Sequence, residues 1–186
     1  MMTGNPSSTY PLYVPPDGLA ELRPSEWSSA QARRYLTWLQ TVVDERANAG
    51  LGYLGVAEGQ DPEQLLLTVG EKAAWVLRKP EFSSVHGDQV KLTNAGNALA
   101  ADIGLLLAKA LLREGQGKVE WQILTKPKGA ASFNHPVLVG FGKLHLDPIR
   151  GSIAEAYGVL KGTRAPNAWA RAFKHWIRLL QHPSQA

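Results

Sequence analysis

Apolar residues recur at three- and four-residue steps in five stretches of the chain, which is the spacing of one face of an α-helix. Helix-start signals precede these stretches, among them the Ser28–Gln31 capping box and the Asp61-Pro62 and Asp147-Pro148 pairs. The pattern predicts helices over residues 29–47, 62–79, 94–113, 148–161 and 167–181. Because the third helix is apolar around most of its circumference, we expect it to lie at the centre of the fold.

After residue 117 the helical period gives way to a period of two, which is typical of strands. Residues 118–124 alternate strictly and place Val119, Trp121 and Ile123 on one face. Residues 137–141 and 144–146 read as further strands, with a short extended piece at 89–92, and the short connections favour antiparallel pairing. The order predicts an α+β fold, in which helices pack on a small, mainly antiparallel sheet of about three strands and further helices lie at the C-terminus.

The length of 186 residues suits one domain, which we place at residues 25–186 after a proline-rich segment at 1–24. The start of the chain has neither the positive charge nor the apolar core of an export signal. The longest apolar stretch, 98–112, is interrupted by Asp102 and Lys109 and is shorter than the roughly 20 residues that cross a bilayer. We therefore expect a cytoplasmic protein with no membrane partner.

The absence of cysteine excludes a disulfide scaffold, a thiolate nucleophile and every metal site built on sulfur. The formal charge of +4 is unevenly distributed. Residues 1–60 hold four basic and six acidic side chains, residues 61–117 hold six and seven, and residues 118–186 hold ten and three. The basic character therefore belongs to the last third of the chain.

Asp102 is the acid that most requires an explanation, because it lies within the most apolar predicted helix. An unpaired buried carboxylate costs several kcal/mol, so Asp102 should pair with a backbone amide, an indole or an arginine of a neighbouring helix, or serve as a functional acid. His135, His145 and Asp147 could converge if the strands pair, but Asp147 is already explained as a helix cap before Pro148. We therefore predict no metal, no cofactor and no catalytic residues.

Two basic features could serve a partner. Residues 126–134 form a basic loop between two predicted strands and carry one aromatic residue, Phe133. Arg171, Lys174 and Arg178 form a basic stripe on the last helix. Together with Lys143, Arg150, Lys161 and Arg164, these side chains could make a positive surface for phosphate or for an acidic protein, or simply a solvated outer face.

Several short motifs, in order, resemble a loose group of uncharacterised bacterial proteins. The matching stretches are residues 29–46 with Glu45-Arg46, residues 101–104, Trp121 with residues 125–128, residues 134–141, and Asp147-Pro148. Similar small proteins often look like immunity or accessory proteins of bacterial toxin systems. The resemblance implies a protein that acts by binding and brings no settled activity.

These observations favour a non-enzymatic binding protein, of the immunity type, that neutralises a bacterial toxin or effector by direct contact. The residues expected to contact the protein partner are Lys126, Lys128, Phe133, Asn134, His135, Arg150 and Arg171. One alternative is a nucleic-acid-binding accessory protein that uses the basic last third. Another is a hydrolase or metal enzyme built around His135, His145, Asp147 and Asp102.

Overall fold

The computed structural model describes residues 10–59, 61–86 and 89–182. In these ranges it has five α-helices: α1 (Ser29–Leu54), α2 (Pro62–Val76), α3 (Asn94–Gly115), α4 (Pro148–Leu160) and α5 (Ala168–Gln181). Five strands form two antiparallel sheets: β1 (Ser83–His86), β2 (Gln89–Leu92), β3 (Glu120–Ile123), β4 (Pro136–Phe141) and β5 (Leu144–Leu146). The predicted α+β class, with a small three-stranded sheet and C-terminal helices, is confirmed.

Helix α3 is the centre of the fold, as its all-round apolar pattern predicts. Helices α1, α4 and α5 pack against it, and nearly every residue between Ala95 and Leu111 is buried. By length and composition alone α3 could cross a membrane, yet 78% of its most apolar 18-residue window is buried inside the structure. Within this structure, α3 is therefore a core helix.

Helix α1 is longer than predicted, and the expected end near Ala47 is wrong. The helix continues through Gly50 and Gly52 and ends at Gly55, whose φ of 60° is the left-handed conformation of a helix C-cap. A glycine inside a helix costs about 1 kcal/mol relative to alanine. Burial of Leu51 and Leu54 in the main core offsets this cost, because a fully buried leucine contributes about 1.5–3 kcal/mol.

The three-stranded sheet has the order β3-β4-β5, and β3 pairs with β4 in a register that places Trp121 opposite Leu138. The predicted alternation along β3 is confirmed, because Trp121 and Ile123 are half-buried whereas Glu120 and Gln122 are exposed. The second sheet is the β1–β2 hairpin. The sequence predicted only the extended piece at 89–92 and not its partner strand.

Part of the proline-rich N-terminal segment packs on the helices. Tyr10 and Leu19 are both only 2% exposed, and Tyr10 belongs to the main hydrophobic core. A short 3-10 helix, Pro24–Glu26, leads to Trp27, which packs with Leu19 and Ala32 in a smaller apolar cluster. Residues 10–27 thus run across the surface of the helical layer, while residues 1–9 lie outside the described part of the chain.

Candidate functional site

The loop between β3 and β4, residues 124–135, carries most of the predicted contact residues and is held in a defined conformation by its own backbone. Where the loop closes, Leu124 N–H donates to His135 O at 3.1 Å and Asn134 N–H donates to Leu124 O at 2.8 Å. Within the loop, Ala130 N–H donates to Pro127 O and Phe133 N–H donates to Ala130 O, both at 3.0 Å. These bonds satisfy the backbone of a segment that has no strand partner.

Asn134 ties the end of this loop to the segment before α1. Its side chain is buried, and its Nδ2 donates to Trp27 O at 2.7 Å. Its φ of 61° is in the left-handed region, which asparagine tolerates better than most residues. Asn134 was predicted as a partner contact, but the structure places it inside the fold, where it fixes the loop to Trp27.

His135 joins the same loop to the first turn of α4. Its Nδ1 lies 3.1 Å from Asp147 Oδ2, and both side chains are largely buried. The other carboxylate oxygen, Oδ1, accepts from Arg150 N–H at 3.0 Å and so caps α4, as the Asp147-Pro148 pair predicts. Asp147 thus caps α4 through Oδ1, while its Oδ2 lies in contact with His135 without the geometry of a hydrogen bond.

Tyr35 of α1 lies close enough to Asp147 to sense its charge. Burial raises the pKa of Tyr35 to about 12, and the negative charge of Asp147 adds to the rise. The ring packs between Trp27 and Trp38, with ring centroids 4.8 and 5.2 Å away. Tyr35 therefore belongs to an aromatic cluster that includes Trp27, the residue to which Asn134 is tied.

Three cations of the loop and of the start of α4 are exposed. Lys126 and Lys128 lie in the loop. Arg150 lies in the first turn of α4, three residues after Asp147, the helix cap that His135 contacts. Phe133 is half-buried in the same loop. Arg150 Nε is 4.0 Å from Asp147 Oδ2, at the limit of an ion pair. We refer to Lys126, Lys128, Phe133 and Arg150 as the loop surface.

Arg171 does not lie with the loop surface. It is exposed on α5 and lines a cavity of about 560 Å³ between α4 and α5, which also includes Arg164 and Glu155. Glu155 and Arg164 form an ion pair there. The fold therefore divides the seven predicted contact residues into three sets. Four form the loop surface, of which the three cations are exposed and Phe133 is half-buried; two, Asn134 and His135, hold the loop in place; and Arg171 lines a separate cavity.

Asp102, the predicted buried acid, is fully enclosed and every acceptor position on its carboxylate is used. Arg46 donates from Nε to Oδ1 at 2.9 Å and from Nη2 to Oδ2 at 2.6 Å. Tyr13 donates to Oδ1 and Tyr10 donates to Oδ2, both at 2.5 Å. This is the pairing with an arginine of a neighbouring helix that the sequence allowed, joined by two tyrosines of the N-terminal segment. We refer to these four residues as the Asp102 network.

Burial and charge together set the protonation of the groups in the Asp102 network. Burial raises the pKa of the Asp102 carboxyl, and the hydrogen bonds from Arg46, Tyr10 and Tyr13 oppose this rise. Burial and then the negative charge of Asp102 raise the pKa of both tyrosines well above its usual range, so their hydroxyls stay protonated as donors. Because the carboxylate accepts four hydrogen bonds, the network holds α1, α3 and the N-terminal segment together.

Arg46 was named only as part of the resemblance motif and not as the partner of Asp102, although its position carried a signal. Leu39, Val43, Arg46 and Gly50 follow one another at four- and three-residue steps on the buried side of α1. An arginine on that stripe meets the same desolvation problem as Asp102 in α3. When two apolar helix faces each carry one charge of opposite sign, the simplest prediction is that the two side chains pair with each other.

The alternative metal or hydrolase site is not assembled in the part of the chain that the structure describes. His145 is exposed on β5, and of the two histidines His135 is the one that the structure places against Asp147. Within the described ranges, no group of three histidine, aspartate or glutamate side chains comes together as metal ligands. Asp102 lies within α3 and is occupied by the Asp102 network.

A further cavity, of about 510 Å³, lies between α1, α2, α3 and β3 and was not predicted. Val43, Leu106 and Trp121 contribute to its apolar wall. At its rim, Lys109 Nζ pairs with Asp44 Oδ1 at 2.9 Å. Its charged lining residues, which are Asp44, Glu58, Lys109 and Arg113, sum to zero formal charge.

Comparisons of this chain with protein-family models, with curated proteins and with solved structures found no match. The resemblance to immunity-type proteins therefore rests on the sequence motifs alone and stays a prediction.

Proposed function

We propose that this protein acts by binding, and that the loop surface contacts an acidic patch on a protein partner. The observation that carries the proposal is the contrast within one loop. Asn134 and His135 fix its end to Trp27 and to the start of α4, while Lys126 and Lys128 remain exposed. A loop that is already ordered loses less conformational entropy when a partner binds, so more of its contact energy appears as affinity.

The charge of this surface selects the kind of partner. The three exposed cations and the half-buried phenylalanine of the loop surface match a partner patch that presents carboxylates and apolar side chains. Following the resemblance in the sequence, we propose that the partner is a bacterial toxin or effector and that the bound protein blocks it by covering this acidic patch. The toxin then loses activity because its surface is occluded, without covalent chemistry.

The proposal is tested by capture from the producing cells after nuclease treatment, with the full chain as bait and a photo-crosslinking residue at the exposed loop position Ala131. We expect a covalent adduct with one protein whose crosslinked peptide is acidic. The double reversal Lys126→Glu with Lys128→Glu should abolish the adduct. The matched control Arg33→Glu with Lys91→Glu makes the same change of net charge at exposed positions outside the loop and should preserve it.

Two results would contradict the proposal. If both double variants captured the partner equally well, the loop surface would not be part of the interface. Recovery of nucleic acid alone before nuclease treatment, with an affinity that falls steeply between about 50 and 200 mM salt, would favour the nucleic-acid alternative.

The immunity part is tested separately, by expressing the captured partner with and without this protein. A partner that is harmless when expressed alone would refute toxin neutralisation.

A further inference from the structure

The cavity between α4 and α5 has the composition of an anion site and lies apart from the loop surface. It is concave and of about 560 Å³, which is within the usual range for small-molecule sites. Alanines contribute to its wall at positions 165, 168 and 172, while Arg164, Arg171 and His175 supply hydrogen-bond donors around it. Small side chains along the wall leave the space between the donors open to a ligand.

Arg164 is held in place by its own packing. Its aliphatic stem lies across Gly158 of α4, so closely that a Cβ built at that glycine would be 2.6 Å from Arg164 Cδ and 2.7 Å from Cγ. Its guanidinium pairs through Nη1 with Glu155, one helical turn before Gly158. The backbone N–H of Arg164 also donates to Gly158 O at 3.1 Å. The stem, the head and the backbone of Arg164 are therefore each fixed beside the cavity.

Arg171 supplies a second cation, and its charge is not compensated. It is exposed and has no ion-pair partner among the described residues, whereas Glu155 balances Arg164. His175 lies one turn further along the same face of α5 and adds an imidazole N–H. The two arginines and Glu155 leave the cavity with a net positive charge of one before any contribution from His175.

We propose that this cavity binds the phosphate group of a small molecule, with Arg164 and Arg171 as its two guanidinium ligands. A guanidinium has five N–H donors in a planar fork that matches phosphate oxygens, and the contact of Arg164 with Glu155 leaves donors on that fork for a ligand. Trp176 is half-buried and also lines the cavity, and its ring meets that of Phe141 edge-on with the centroids 4.7 Å apart. It could therefore contact the group that the phosphate carries.

The test is isothermal titration of the full chain with inorganic phosphate, AMP and adenosine, at constant ionic strength set with chloride. We expect saturable binding of phosphate and AMP with one site per chain, and none of adenosine. Equal affinities for phosphate and AMP would identify free phosphate as the ligand. A tighter complex with AMP would identify a nucleotide-like phosphate ester, because Trp176 then contributes to binding.

Two variants with the same change of charge separate a site from general attraction. Arg171→Ala should weaken binding of AMP about tenfold or more, as expected when a charge-assisted hydrogen bond is lost. Arg178→Ala is the matched control, because it lies seven residues along the same exposed helix face but outside the cavity, and it should change the affinity less than about twofold. Far-UV circular dichroism confirms that both variants are folded.

Gly158→Ala tests the placement of Arg164. The added methyl group displaces the stem of Arg164, so binding should weaken although no charge is removed. The proposal is overturned if neither phosphate nor AMP binds at concentrations up to about 10 mM, if the two arginine variants lose the same affinity, or if adenosine binds as tightly as AMP. None of these results bears on the loop surface, which lies elsewhere on the molecule.

Discussion

Replacement of Arg46 with methionine removes the guanidinium that pairs with Asp102 and keeps an unbranched apolar side chain in its place. Asp102 is 0% exposed, so water cannot replace the lost donors without opening the core. Removal of one partner from a buried ion pair costs about 3–5 kcal/mol, because the remaining charge is left uncompensated. For a chain of this length each kcal/mol lowers the melting temperature by roughly 2–4 °C, so the expected fall is about 6–20 °C.

The same reasoning predicts which further substitutions restore stability. Changing Asp102 to leucine in the Arg46→Met background removes the stranded charge but also takes the acceptor from the hydroxyls of Tyr10 and Tyr13. We therefore expect this double variant to recover only part of the loss. Adding Tyr10→Phe and Tyr13→Phe should recover most of the remainder, because no polar group then depends on the carboxylate.

Urea unfolding followed by circular dichroism measures these free energies, and Arg33→Met serves as the control on the exposed face of the same helix. That control should change the free energy of unfolding by less than about 0.5 kcal/mol. The reasoning would be refuted if Arg46→Met cost less than about 1 kcal/mol, the size of an ordinary surface effect. It would also be refuted if the double variant were less stable than Arg46→Met alone.

Three further predictions concern the residues that support the loop surface. Because the pKa of Tyr35 is raised to about 12, the folded state keeps its proton while the unfolded state loses it, so stability should fall as the pH rises from about 10 to 12; unfolding curves for the wild type and Tyr35→Phe measure the difference. Asn134→Ala should lower the free energy of unfolding by about 1–3 kcal/mol, because it leaves Trp27 O without its donor and forces alanine to a φ of 61°. Denaturant unfolding measures this, and an unchanged midpoint would contradict the role of Asn134 in fixing the loop. Asp147→Ala should cost about 1 kcal/mol through loss of the α4 cap and should speed amide exchange at residues 124–135, because His135 loses its contact; exchange rates equal to those of the wild type would show that the loop is ordered without Asp147.

The helices and the three-stranded sheet could be predicted because their signals are local. A capping box at Ser28, an Asp-Pro start at Asp61 and another at Asp147 each act within one turn of the chain, and the structure has a helix at each. The alternation along β3 likewise records one wet and one buried face. The end of α1 could not be predicted in this way, because the burial of Leu51 and Leu54 by other helices outweighs the local cost of Gly50 and Gly52.

For the candidate site as well, some features follow from the sequence and others only from the tertiary structure. The sequence by itself determined that the last third is basic, that Asp102 in an apolar helix needs either a partner or a functional role, and that residues 126–134 form a polar loop between strands. Tertiary structure alone decided that Asp102 meets Arg46 and two tyrosines from about 90 positions earlier, that Asn134 and His135 point into the fold, and that Arg171 faces a separate cavity. Hydrophobic periodicity fixes which face of an element is buried, whereas the partner of a buried polar group depends on which distant segments the packing brings within hydrogen-bond distance.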